Sequence, residues 1–236
     1  MKARLLLASV ALLAAGAHAA PGPGMSWAQA FAAAAAPADV HFKASYRGSD
    51  GAPHVLESWR VGTALLHRRT DQDLDLFVSA DPASVGHYHY RLVDHRRKAV
   101  IDVGRTNLFR IGVFTDWDGL AHAITAPRGA VQIEALGQDV GPGGQPCEWR
   151  WVQPGGSHGK AEAGSDICWS PAWGLPLRIR DHAAAGTSAD TPAPADSFQV
   201  VLVERLPEPH ALSVPPGVPA GYDYIDADAD IDPASD

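Results

Sequence analysis

Five residues, Gly155-Gly156-Ser157-His158-Gly159, satisfy the G-x-S-x-G spacing of a serine-hydrolase elbow. That chemistry needs a strained strand-to-helix turn that lifts the serine hydroxyl clear. Here the run follows Pro154 and leads into no helical pattern, so it reads as a hairpin tip in which Gly and Ser serve the turn. His87 and His89 fall on one side of a strand, about 7 Å apart, with Asp94 and His95 just beyond. Three imidazoles and a carboxylate are donors for zinc or copper. The opposite side of that strand carries Tyr88, Tyr90 and Leu92, so the histidines read better as a solvent-facing polar row. Asp226, Asp228, Asp230 and Asp232 alternate as in calcium loops, without the glycine and the closing glutamate that such a loop requires. Arg96-Arg97-Lys98 is a charged turn, too small a patch to argue for a membrane surface. No catalytic residue, metal site or cofactor follows from these motifs.

Cys147 and Cys168 are the two cysteines of the chain. They lack C-x-x-C spacing, and paired cysteines in an exported chain read as a structural disulfide. Export is itself the reading of residues 1–19. Lys2 and Arg4 precede an apolar run from Leu5 to Ala15, and Ala17-His18-Ala19 offers small residues to a signal peptidase. The run is shorter than the ~20 residues of a spanning helix. No cysteine lies near the cleavage point to carry a lipid anchor. The expected location is therefore the periplasm, with the protein neither membrane-spanning nor anchored. The chain of 236 residues has a formal charge of −8. Six of its acids crowd the last fourteen residues, and no basic face suited to nucleic acid is evident.

The elements that position these residues are mostly strands. Residues 20–25 read as a flexible leader. Ser26 then caps an alanine-rich helix, 27–36, with Trp27 and Phe31 on one stripe. From Val40 the period changes from 3.6 to 2. Short β-rich runs follow at 40–47, 54–61, 64–69, 74–79, 87–93, 99–103, 130–136, 148–152, 166–169, 175–180 and 198–205. A second helix over 116–125 carries Trp117 and Leu120 on its apolar face. The list predicts an α+β, mainly β fold: one strongly curved antiparallel half-barrel of about 10–11 strands spanning 26–222, with two short helices over its concave face. Residues 183–196 read as a mobile loop, and 223–236 as an acidic disordered tail.

This order resembles the periplasmic lipoprotein-carrier superfamily, that of the LolA-like proteins and the sigma-factor regulator with a similar N-terminal domain. The resemblance rests on Glu57-Ser58-Trp59-Arg60-Val61, Tyr90-Arg91-Leu92-Val93-Asp94 with its basic turn, Gly174-Leu175-Pro176-Leu177-Arg178, and Ala211-Leu212-Ser213-Val214-Pro215-Pro216-Gly217. The cysteine-linked hairpin departs from the carrier pattern. The resemblance implies a half-open barrel whose inner face takes acyl chains or an apolar peptide. Phe42, Leu56, Trp59, Leu65, Leu76, Tyr88, Tyr90 and Trp151 are the expected groove residues. Trp27, Phe31, Trp117 and Leu120 are the expected lid. For any single one of these residues, filling a closed core is the commoner role. Two readings follow: a binding protein for a hydrophobic ligand or lipidated protein, or an envelope module that contacts another protein without a cavity.

Overall fold

In the computed structural model the described residues are 25–33, 39–48, 50–113, 116–155, 164–182, 196–206 and 217–229. The export segment 1–19, the G-x-S-x-G run beyond Gly155, most of the 183–196 loop, the 211–216 part of the closing motif and residues 230–236 lie outside them.

Twelve strands form one open sheet. They are β1 (Val40–Arg47), β2 (Pro53–Val61), β3 (Leu65–Thr70), β4 (Leu74–Ala80), β5 (Tyr88–Asp94), β6 (Ala99–Val103), β7 (Val131–Val140), β8 (Pro146–Pro154), β9 (Ser165–Ser170), β10 (Leu175–Asp181), β11 (Asp196–Arg205) and β12 (Asp223–Asp226). Their order is β12-β6-β5-β4-β3-β2-β1-β11-β10-β9-β8-β7. Two meanders, β1–β6 and β7–β11, are therefore joined along the antiparallel β1–β11 seam, and the sheet stays open at both ends. Register shifts occur at Lys43/Ala44, Ala135/Gly137, Pro176/Arg178 and Ile179/Arg180. Bulges of this kind bend strands and increase twist, which is what curves so wide a sheet. At the β7 bulge the backbone turns through Gly137 at φ 123°, a conformation only glycine adopts cheaply. The result is the curved, open, mainly antiparallel half-barrel expected from the strand pattern.

Alternation sets the two faces. Leu56, Ser58 and Arg60 on β2 pair with Ala44, Phe42 and Val40 on β1, and all six side chains are buried. Leu66, Val78 and Tyr90 continue that inner face across β3, β4 and β5. Cys147 and Cys168 are bonded diagonally across β8 and β9, with Cα atoms 5.4 Å apart. Closing a loop of this length stabilises by about 3 kcal/mol in the chain-entropy account.

Both helices are shorter than the sequence suggests. Helix α1 is Trp27–Ala30, opened by a reciprocal Ser26–Gln29 capping box. It stops because Phe31 leaves the helix to pack edge-on against Trp169, whose indole donates to the Ala32 carbonyl at 3.1 Å. An alanine run this short has no cooperative helicity of its own to resist that pull. Helix α2 is Trp117–His122, ended by Ala123 at φ 54°. A 3₁₀ segment, Arg105–Ile111, precedes it, where the sequence pattern gives no element.

Residues 223–229 correct the expectation of an acidic tail outside the domain. Asp223–Asp226 add to the β6 edge as the one parallel pair in the sheet. Asp228 then accepts from the Gly104 amide at 2.6 Å and from Asn107 Nδ2 at 2.7 Å. Asp228, in what looks like a solvated run, thus finds amide donors at Gly104, the cap of the Arg105–Ile111 turn, and at Asn107 within it, while Ala227 is buried.

Candidate functional site

Two arginines on adjacent strands organise the concave face. Arg60 is buried on β2, and its Nη1 donates to the Ala121 carbonyl at 2.7 Å while Nη2 donates to the Trp173 carbonyl at 2.8 Å. Arg68 on β3 reaches the Leu120 carbonyl at 3.4 Å. Together they meet the carbonyl end of α2, where cations complement the helix dipole and satisfy orphan acceptors. Burial lowers the Arg60 pKa to about 10, opposed by the nearby Asp39 carboxylate. Next to them His122 Nδ1 donates to the Gly174 carbonyl at 2.7 Å. Burial depresses its pKa, the carbonyl bond opposes this, and the Arg60 charge adds to the depression.

Helix α2 is thereby held over one half of the sheet, where Trp117, Leu120 and Ala121 pack on Leu66, Leu76, Val78 and Tyr90. Beside it a groove of about 510 Å³ runs over Tyr46, Thr70, Leu74, Leu92 and Ile111. An adjoining cleft of about 290 Å³ shares Thr70, Leu74, Leu92 and Ile111 with it, and adds Arg68, Leu76, Val113 and Leu120. Leu74 is 37% exposed on this floor. The groove mouth is polar but internally neutralised: His54 pairs with Asp71, Arg96 with Asp73, and Arg97 with Asp94. The basic turn of Arg96 and Arg97 is therefore spent on neighbouring carboxylates.

Helix α1 covers the other half. Ala30 and Phe31 pack with Ile133, Val152, Ile167 and Trp169. A smaller cleft of about 270 Å³ separates Trp27 and Phe31 from Asp118, Gly119 and His122. Of the expected lid residues, Trp27 and Phe31 sit over Trp169, and Trp117 and Leu120 sit over Tyr88 and the β3–β5 strands. The two pairs occupy different halves of the sheet.

The expected groove residues divide three ways. Leu76 lines the cleft beside Arg68. Phe42, Leu56 and Tyr90 are buried in closed core, and Tyr88 is stacked on Trp117 with ring centroids 4.8 Å apart. Trp59, Leu65 and Trp151 point the other way. On β2 the inward residues are Leu56, Ser58 and Arg60, so Trp59 projects from the opposite face, and Leu65 shares that face by pairing with Val61. Trp151 alternates with the buried Arg150 and Val152 and meets His182 edge-on. Arg60 buried for the sake of helix carbonyls reverses the face that hydrophobicity alone assigns.

Trp59 instead belongs to an aromatic ladder across the outer face. His41, Trp59, His67 and Phe77 lie on four consecutive strands with centroid separations of 5.0, 4.7 and 4.2 Å and ring planes within 18°. Asp75 is buried beneath it and accepts from His67 Nε2 at 2.7 Å, His95 Nε2 at 2.7 Å and Arg69 Nε at 2.8 Å. Burial pushes that carboxyl up, but the three donors outweigh it and hold it well below the usual carboxylate range. His95, read above as a possible metal ligand, is thus engaged by Asp75 and by the Tyr222 hydroxyl at 2.9 Å. His87 and His89 are exposed, and no group of three or more His, Cys, Asp or Glu residues suited to a metal occurs among the described residues. No described helix is long and apolar enough to cross a membrane.

The architecture is that of an open β half-barrel carrying short helices, as the lipoprotein-carrier resemblance implies. No family model matches the sequence, and no curated protein matches it. Among solved structures it is similar to the crystal structure of MucB, at 12% identity and a TM-score of 0.41. The match covers 80% of this chain and 60% of the MucB chain, so this chain spans less than two thirds of that chain's length. The likeness is one of outline only.

Proposed function

We propose that this is an exported envelope protein that binds a hydrophobic ligand, an acyl chain or an apolar peptide, in the groove between the β3–β5 strands and residues 111–113 and Leu120. The carrying observation is the apolar floor of Leu74, Leu76, Leu92, Ile111 and Val113 left open beneath a neutralised polar mouth. Small-molecule sites have this form: concave, mostly apolar, a few hundred Å³, with sparse polar groups. The export signal and the Cys147–Cys168 bond favour an oxidising compartment such as the periplasm. The protein then acts by binding, with no catalytic step.

The test is lipid extraction of the purified protein followed by mass spectrometry, together with uptake of the neutral dye N-phenyl-1-naphthylamine. Bound lipid or saturable dye uptake is expected, and Leu74→Glu abolishes uptake while leaving the fold intact. A protein that carries nothing and takes up no dye overturns the reading.

A second reading, contact with another protein through a sheet edge, has its own observation. Edge strand β7 leaves Leu136 and Val140 more than half exposed. Exposed apolar edges recruit partner strands. A Leu136→Lys/Val140→Lys variant that loses an envelope cross-link yet keeps dye uptake would assign the partner contact to this edge.

A further inference from the structure

Arg68 stands on the inner face of β3, between the buried Leu66 and the groove-lining Thr70, and its guanidinium borders the cleft floored by Leu74, Leu76, Leu92 and Val113. Its side chain reaches one acceptor, the Leu120 carbonyl, at a long 3.4 Å. No carboxylate pairs with it among the described residues, whereas every other cation lining the groove is paired. His54 faces Asp71, Arg96 faces Asp73 and Arg97 faces Asp94. Across the ladder from Arg68 lies Ser58, fully buried with a hydroxyl that makes no hydrogen bond. Burial has already lowered the Arg68 pKa to about 10, the Tyr46 phenol opposing it, so the group stays charged at neutral pH but poorly solvated. A guanidinium so placed offers a planar fork of donors to an anion, and an incoming carboxylate would restore the solvation that the apolar cleft withholds.

We infer that the ligand of this groove is an anionic single-chain amphiphile, a fatty-acid carboxylate, with its head on Arg68 and its chain over Leu74, Leu92 and Ile111. This rests on the binding reading above and narrows it from apolar ligands in general to acids. Neutral apolar peptides or esters would fill the floor and leave the cation unpaired, at the cost that buried unpaired charges carry.

The measurement is displacement of N-phenyl-1-naphthylamine from the purified protein by three twelve-carbon probes: dodecanoate, dodecanol and dodecyltrimethylammonium. Dodecanoate is expected to compete at least tenfold better than dodecanol, and the cation worst. In Arg68→Gln the preference for dodecanoate over dodecanol disappears. Arg68→Lys, which keeps the charge and loses the fork, retains a reduced preference and decides the matter if the glutamine variant melts early. Equal competition by acid and alcohol, unchanged by either substitution, overturns the inference and leaves the groove reading standing. Failure of all three probes to displace the dye, or of the dye to bind at all, counts against the groove itself.

Discussion

At the scale of single residues, the decisive placement is Arg60. Its two terminal nitrogens satisfy carbonyls of Ala121 and Trp173, so it ties α2 and the β9–β10 turn to β2. Arg60→Met strands both acceptors in a buried setting, and we expect a loss of about 2–4 kcal/mol in denaturant unfolding, since each orphaned buried group costs about 1–3 kcal/mol. His122 beside it makes a pH prediction with a defined sign. Its folded pKa is depressed, chiefly by burial, so the stability tied to its neutral form is complete above the unfolded value near 6.5 and is lost as pH falls below it. Asp75 also loses stability on acidification, but only below about 4, where its unfolded carboxyl titrates. His54, raised by its bond to Asp71, runs in the opposite direction. The change in melting temperature from pH 7.5 to pH 5 should therefore be less unfavourable in His122→Gln than in the wild type, as read by paired thermal scans. An undiminished slope in that variant would move the acid sensitivity elsewhere. None of this was visible in sequence, because an arginine in an alternating strand reads as the solvent side, and only the carbonyls of α2 explain why it turns inward.

The elements were legible where hydrophobic alternation was long. All eleven strands from β1 to β11 lie where the period-2 pattern places them, within a few residues at their ends, because a one-residue slip in any of them would expose a whole face. What was missed lacks that pattern. Asp223–Asp226 pairs through its backbone, with one added side-chain bond from the Tyr224 hydroxyl to Asp102, and all four residues are exposed, so no periodicity announces it. The 3₁₀ segment Arg105–Ile111 has too few turns to show a repeat. The groove is half legible: the sheet that forms it is expected, but of its lining residues Leu74, Leu76, Leu92, Ile111, Val113 and Leu120 only Leu76 is an expected groove residue and only Leu120 an expected lid residue. β12 carries a prediction of its own. A chain ended at Tyr222 loses the β6 partner strand and the Asp228 bonds to Gly104 and Asn107. It should keep its far-ultraviolet circular dichroism yet self-associate in size-exclusion chromatography, because an uncovered edge offers unpaired amides and carbonyls to another chain. A monomeric truncate of unchanged stability would make β12 an ornament of the edge with no protective role.

At the scale of the molecule, two helices divide the labour over one open sheet. Helix α2, pinned by Arg60 and Arg68, roofs the β3–β5 half beside the groove, and α1 roofs the β7–β9 half over Trp169. The two coverings are unequal in strength. Three charged or polar side chains anchor α2, whereas α1 is a four-residue turn held by a capping box, the Phe31–Trp169 edge contact and one indole bond. α1 is thus the piece that can be removed without losing the sheet, and what it uncovers is Ile133, Val152, Ile167 and Trp169. Deleting residues 21–36 should leave the β signature in circular dichroism and raise the fluorescence of the dye ANS several-fold through that newly bared patch. It should leave dodecanoate competition at the Leu74 groove unchanged, because no residue of α1 lines that groove. Loss of dodecanoate binding in a folded deletion would show that the two halves communicate through the cleft between Phe31 and His122, and unfolding would make α1 part of the core.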